Sequence, residues 1–130
     1  MRNQVLYSTL LGAAVLFLVN GCQKPVQPDP TLTLSQTEVP VPADGGTYSV
    51  AYKVTNPRDG AEVSVEAATN DWVTGLKVVD SNVNFDVAVN ETTEPRSVDV
   101  TVSYPGAADA VFTITPLIPQ HYYKYNFLST

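Results

Sequence analysis

The sequence predicts an all-β fold, with about seven short strands in two antiparallel sheets packed face to face. Three observations predict it. From Leu32 to Leu117, apolar residues recur at every second position in run after run, the period of strands with one buried face. The gaps between the runs carry turn chemistry, in Asp44-Gly45-Gly46, Asn56-Pro57-Arg58-Asp59-Gly60, Asp80-Ser81-Asn82 and Pro105-Gly106. Outside an N-terminal leader, no segment shows a 3.6-residue period. Strands with one apolar face each bury those faces in an immunoglobulin-like β-sandwich.

The leader comes first in the chain. Arg2 supplies a short positive region, and Val5 to Val19 is almost unbroken apolar sequence, with only Ser8 and Thr9 polar. A membrane span needs roughly 20 apolar residues, so this shorter run reads as the core of a secretory signal peptide. It ends in Val19-Asn20-Gly21-Cys22, an aliphatic residue, two more positions with a small one last, then cysteine. That is the pattern of a bacterial lipobox. A peptidase needs a small residue at the cleavage point, here Gly21, and a lipid transferase needs a thiol beyond it, here Cys22. Cys22 is the only cysteine of the chain, so no internal disulfide is available. Two or more acyl chains hold a protein on a membrane where one does not, so a diacylglyceryl, N-acylated Cys22 is a durable anchor. Residues 1–21 are therefore expected to be a lipoprotein signal peptide. Residues 22–30 are a lipidated cysteine followed by an extended tether with prolines at 25, 28 and 30. Gln23 is not the aspartate that retains lipoproteins at an inner membrane, which favours the outer membrane of a cell envelope. No acidic export signal follows, and both a periplasmic and an outward-facing domain fit.

The strands follow in order. Leu32 and Leu34 alternate with Thr31, Thr33 and Ser35. Pro40 and Pro42 stand beside this first strand and suit an edge that must not recruit another chain. Tyr48, Val50, Tyr52 and Val54 form the second run, and Val63 and Val65 the third. Trp72, Leu76 and Val78 make a less regular fourth. Val83, Phe85, Val87 and Val89 make the fifth, Val98, Val100, Val102 and Tyr104 the sixth, and Phe112 and Ile114 the seventh. β-branched and aromatic residues fill the apolar positions, as strands prefer. The sandwich is expected over residues 31–118, with an aromatic tail over 119–130.

Three stretches, Asp71-Trp72-Val73, Val83 to Asn90 and Pro95 to Tyr104, resemble the BACON domain, a bacteroidete-associated, carbohydrate-binding, often N-terminal module. The family pattern has a tryptophan opening a strand, a strand ending in asparagine and an arginine opening the next. Trp72, Asn90 and Arg96 match those positions, and Leu34-Ser35 and Gly45-Gly46 fit as well. The resemblance covers about Thr31 to Leu117. The chain departs from it at the end, where Pro116 follows Thr115 in place of the usual glutamine. The resemblance implies an immunoglobulin-like sandwich on envelope or secreted proteins that handle glycans, with Trp72, Asn90 and Arg96 in structural roles.

Removing Arg2 leaves six basic residues against thirteen acidic, a net charge near −7. That charge repels nucleic acid and anionic lipid. His121 is the only histidine and lies in the tail, so neither a Ser-His-Asp triad nor a His/Cys metal site is available. No metal or other cofactor is expected. Glu62, Glu66, Asp86 and Asp99 sit on polar strand faces as solvated charge, rather than as a hydrolytic carboxylate pair. The chain is read as a non-enzyme.

Sugar-binding modules present exposed rings for pyranoses to stack on. Here Tyr48, Tyr52, Trp72, Phe85, Tyr104 and Phe112 all lie on the apolar parity of their runs, which predicts core packing. The tail His121-Tyr122-Tyr123-Lys124-Tyr125-Asn126-Phe127-Leu128 is aromatic without alternation. It reads as a strap packed on the domain, as the start of a further domain, or as a binding surface with Tyr122, Tyr123 and Tyr125 as the glycan contacts. Two function classes follow. One is a lipid-anchored spacer or presenting module in a glycan-handling system, partnered by the membrane and by neighbouring envelope proteins. The other is a carbohydrate-binding module for mucin or polysaccharide.

Overall fold

A computed structural model describes Gly21 and residues 24–119. Cys22 and Tyr122, Tyr123 and Tyr125 of the tail lie outside the described residues. Among the described residues there are eight strands and no helix: β1 (Thr31–Leu34), β2 (Glu38–Val41), β3 (Gly46–Thr55), β4 (Ser64–Ala67), β5 (Val73–Val79), β6 (Asn82–Val87), β7 (Val98–Ser103) and β8 (Ala110–Pro116). They form two four-stranded sheets, ordered β1-β3-β6-β5 and β2-β8-β7-β4. Every pairing is antiparallel except β2 with β8. This is the expected two-sheet, immunoglobulin-like sandwich.

The strand missing from the sequence reading is β2. Pro40 does not flank the first strand; it lies inside β2, an edge of the second sheet. The chain leaves the first sheet after Ser35, whose N–H donates to the Ala51 carbonyl, and joins the second at Thr37, whose carbonyl accepts from the Thr113 N–H. The Val41 carbonyl accepts from the Leu117 N–H in the same way. Odd-numbered residues thus tie β2 to β8, and alternation turns Pro40 outward, where a missing N–H breaks no ladder bond. Pro116 is accommodated by the same logic. The bonds from β8 to β2 come from Thr113 and Leu117, and β7 begins only at Val98, opposite Ile114, so no partner awaits a donor at 116. The strand therefore runs through the proline.

Core residues come from both inner faces. Val50, Val83, Phe85 and Val87 meet Val41, Val100, Val102, Phe112 and Ile114, all nearly or fully buried. Phe85 lies directly opposite Tyr48 on the neighbouring strand and packs across the sandwich on Phe112, with centroids 5.7 Å apart. Burying side chains of this size stabilises by about 1.5–3 kcal/mol each. The irregular fourth run has a physical cause. The β5–β6 register shifts between Thr74 and Lys77, and Gly75 there has φ +63°. This bulge switches the inward parity from Val73 to Leu76. Val89 departs from expectation: β6 ends at Val87, and Val89 is 53% exposed. The chain has by then left the ladder, turning Asn90 inward instead.

Candidate functional site

The three residues of the family pattern come together at one end of the sandwich. Asn70 starts the arrangement with a local turn: its Oδ1 accepts from the N–H groups of Trp72 (3.1 Å) and Val73 (2.7 Å). This turn drops the Trp72 ring into the core, where it is 8% exposed. The Trp72 carbonyl accepts from the Ala88 N–H at 2.8 Å, pinning the end of β6. The Arg96 guanidinium covers the ring, with Cζ 4.6 Å from the centroid, a cation–π contact. Its Nη2 donates to the carbonyls of Ala88 (3.2 Å) and Val89 (3.1 Å), fastening the β6–β7 loop to its own start.

Asn90 is fully buried. Its N–H donates to the Ala43 carbonyl (2.7 Å), its Nδ2 to the Leu117 carbonyl (3.1 Å), and its Oδ1 accepts from the Thr92 hydroxyl (2.9 Å). The side chain, with a donor and an acceptor, thus joins the exit of β8 to the β6–β7 loop, and the backbone N–H of the same residue ties both to the β2–β3 loop. The same burial withdraws its side chain from any modifying enzyme, although Asn90-Glu91-Thr92 reads as a glycosylation sequon. All three pattern residues act on backbone and core; Trp72 and Asn90 are buried, and the half-buried Arg96 is committed to the Trp72 ring and two carbonyls.

The opposite end carries a cleft. β6 begins at Asn82, opposite Ala51, and the Tyr52 N–H donates to the Ser81 carbonyl, so the last residues of β3 overhang the β5–β6 hairpin. A cleft of about 610 Å³ opens there between the sheets, walled by Tyr52, Val54, Val63, Val78 and Tyr104. Its volume falls within the range of small-molecule sites. Both tyrosine hydroxyls are engaged, however. Tyr52 donates to the Asp80 carbonyl (2.8 Å), and the Tyr104 oxygen accepts from the Arg58 N–H (2.8 Å).

The remaining aromatics also turn inward. Tyr48 is half-buried and donates to the Gly45 carbonyl at 3.0 Å. Among the described residues every tyrosine, phenylalanine and tryptophan is buried or half-buried, as strand parity predicted. The carboxylates do not converge. Asp86 accepts from the Thr47 hydroxyl on the outside of the first sheet, and Asp99 from the Thr113 hydroxyl on the outside of the second, each at 2.6 Å. Glu62 and Glu66 are exposed. Among the described residues no group of three or more His, Cys, Asp or Glu gathers to hold a metal ion. Gly21 is exposed, with open space around it; Cys22 and the tail tyrosines are outside the described residues. Sequence reasoning missed Asn70 and Arg58, whose signals lie in the local turns Asn70-Asp71-Trp72 and Asn56–Gly60.

No family model matches the chain, and no curated protein matches it. Solved structures do resemble its fold. A GH5 xyloglucanase of Bacteroides ovatus, solved with a XXXG heptasaccharide, superposes with a TM-score of 0.54 at 19% identity, over 68% of this chain and 19% of that one. A protein from Bacteroides thetaiotaomicron solved by NMR superposes with a TM-score of 0.51 at 19% identity, over 77% of this chain and 98% of that one. The chain thus spans about a fifth of the xyloglucanase's length. At these identities the likeness is one of fold.

Proposed function

We propose that this chain is a non-enzymatic module of the bacterial cell envelope. It is a BACON-like sandwich held to a membrane, the outer membrane, by lipid on Cys22, and it acts as a spacer or presenting domain in a glycan-handling system. One observation carries the reading: the chain enters and leaves the sandwich at opposite ends. Thr31 pairs with Thr55, the last residue of β3, whereas Pro116 pairs with Val41 at the end where β3 starts. β3 has ten residues, so with a rise of about 3.3 Å per residue whatever follows β8 is carried roughly 30 Å from the tether. The inward aromatics support the same reading, since they leave no stacking platform among the described residues. The likeness in fold to part of a Bacteroides xyloglucanase solved with a heptasaccharide supports the glycan-handling context. The partners are then a membrane and neighbouring envelope proteins, and the acidic charge disfavours nucleic acid.

The anchor is tested by metabolic labelling with palmitate. The chain takes up label and fractionates with outer membrane, and Cys22→Ser abolishes both. Wild-type protein that takes up no label contradicts the anchor.

A second reading, a carbohydrate-binding module for mucin or polysaccharide, is favoured by one observation, the cleft between Tyr52 and Tyr104. Its test is Tyr52→Ala beside Tyr122→Ala and Tyr123→Ala on a glycan array. Binding lost in the first places the sugar in the cleft, and binding lost in the others places it on the tail.

A further inference from the structure

The segment before β1 is polar and proline-rich, yet its last part is fastened to the sandwich. Pro30 is buried. The Asp29 carboxylate lies 3.6 Å from the Arg58 guanidinium. The Asp29 carbonyl accepts from Asn56 Nδ2, and Gln27 Nε2 donates to the Pro57 carbonyl, each at 3.3 Å. All three partners are consecutive residues of the β3–β4 loop. Residues 24–29 are all exposed, so Gln27 and Asp29 are distinguished from Lys24, Pro25 and Val26 by these polar contacts and not by burial.

The loop they fasten to is itself held from behind. The Arg58 N–H donates to the Tyr104 hydroxyl at 2.8 Å, and that hydroxyl donates back to the Arg58 carbonyl at 3.3 Å. Tyr104 is 5% exposed. The Arg58 guanidinium lies over Gly106, close enough that a Cβ there would come within 2.7 Å of Cζ. Gly106 follows Pro105 in a turn closed by the Ala107 N–H on the Tyr104 carbonyl, with φ +87°, as a type II turn requires.

We propose that Gln27–Pro30 is an orienting strap: it fixes the β3–β4 end of the sandwich toward the anchor and takes these four residues out of the length that can span from anchor to domain. Each contact alone is weak, because an exposed ion pair is worth little. The strap needs few contacts because Pro28 and Pro30 have φ already fixed, which lowers the entropy lost on ordering. Nine free residues reach at most about 30 Å and five about 17 Å, so the strap nearly halves the domain's range above a surface. That consequence rests on the lipid anchor proposed above; the docking itself does not.

The test uses a soluble chain starting at residue 22 with Cys22→Ser, so that Lys24 carries a backbone amide and no thiol remains; every strand among the described residues lies between Thr31 and Pro116. Backbone ¹⁵N relaxation gives order parameters of about 0.85 at Gln27 and Asp29 and below about 0.6 at Lys24. A nitroxide on Val26→Cys broadens the amides of Asn56, Arg58 and Asp59. Asp29→Ala, at an exposed side chain, drops Gln27 to the mobility of Lys24 and removes most of that broadening, with strand amide shifts unchanged. Arg58→Ala gives the same pattern. Gln27 and Asp29 as mobile as Lys24 in the unsubstituted chain overturn the strap, as does an Asp29→Ala chain that keeps Gln27 ordered. An ordered strap in a protein that takes up no palmitate supports the docking and overturns the anchor instead.

Discussion

Asn90 holds together three segments that no ladder joins: its backbone N–H reaches Ala43, and its amide donates to Leu117 from one atom while accepting from Thr92 at another. Removing it leaves the Leu117 carbonyl and the Thr92 hydroxyl without their buried partner. Unpaired buried groups cost about 1–3 kcal/mol, so Asn90→Ala is expected to lower unfolding free energy by about 2–3 kcal/mol in a urea titration. Asn90→Asp adds a charge facing the Leu117 carbonyl. Desolvation and that carbonyl raise the introduced carboxyl's pKa in the folded state. The folded protein then binds more protons than the unfolded chain, so this variant's stability is highest at acid pH and falls as pH rises above about 4. Arg96→Ala loses the ring contact and two charged hydrogen bonds, and is expected to cost about 1–2 kcal/mol. Arg96→Lys keeps the charge but not the planar fork, and recovers part of it. The sequence offered these residues only through a family pattern. Nothing in their spacing said that Trp72 and Arg96 stack, because the contact depends on how the β6–β7 loop closes. Asn70 and Arg58 stood in turns that the sequence marked, but their roles were not legible: Asn70 holds backbone N–H groups, and Arg58 meets Asp29 and Tyr104, which are far from it in sequence.

At the scale of elements, alternation was legible wherever a strand had several inward residues, and it failed where a strand was short or bent. Strand β2 has four residues with a proline inside and offers only Val39 and Val41 as pattern. Its partner, β8, lies more than seventy residues away, and only that pairing makes it a strand. The bulge at Gly75 broke the period of β5 in the same way. Pro40 also has a consequence for association. It sits on the open edge of β2, and its missing N–H blocks pairing with another chain. Pro40→Thr is expected to leave the melting temperature nearly unchanged but to produce concentration-dependent association in sedimentation velocity. Gly45 shows how tight the β2–β3 turn is: φ is +71°, and a Cβ would come within 2.3 Å of the Val87 carbonyl oxygen. Gly45→Ala is expected to destabilise by at least about 2 kcal/mol, from strain and from displacement of the end of β6.

At the scale of the whole described domain, the sandwich has unlike ends. One end receives the strapped N-terminal segment and bears the cleft; the other is closed by Asn90, Trp72 and Arg96 and releases β8. The fold and the inward setting of the aromatics were legible in the sequence because both follow from period two. The opposite placing of the two ends was not, because it depends on the parallel pairing of β2 with β8. A sandwich whose rings, among the described residues, all face its core suits the proposed presenting role. The most direct measurement of that claim is a glycan array with the soluble Cys22→Ser chain, covering mucin glycans and plant and microbial polysaccharides. A presenting module shows no reproducible binding on any of them. Reproducible, saturable binding lost on Tyr52→Ala, Tyr122→Ala or Tyr123→Ala would contradict that role.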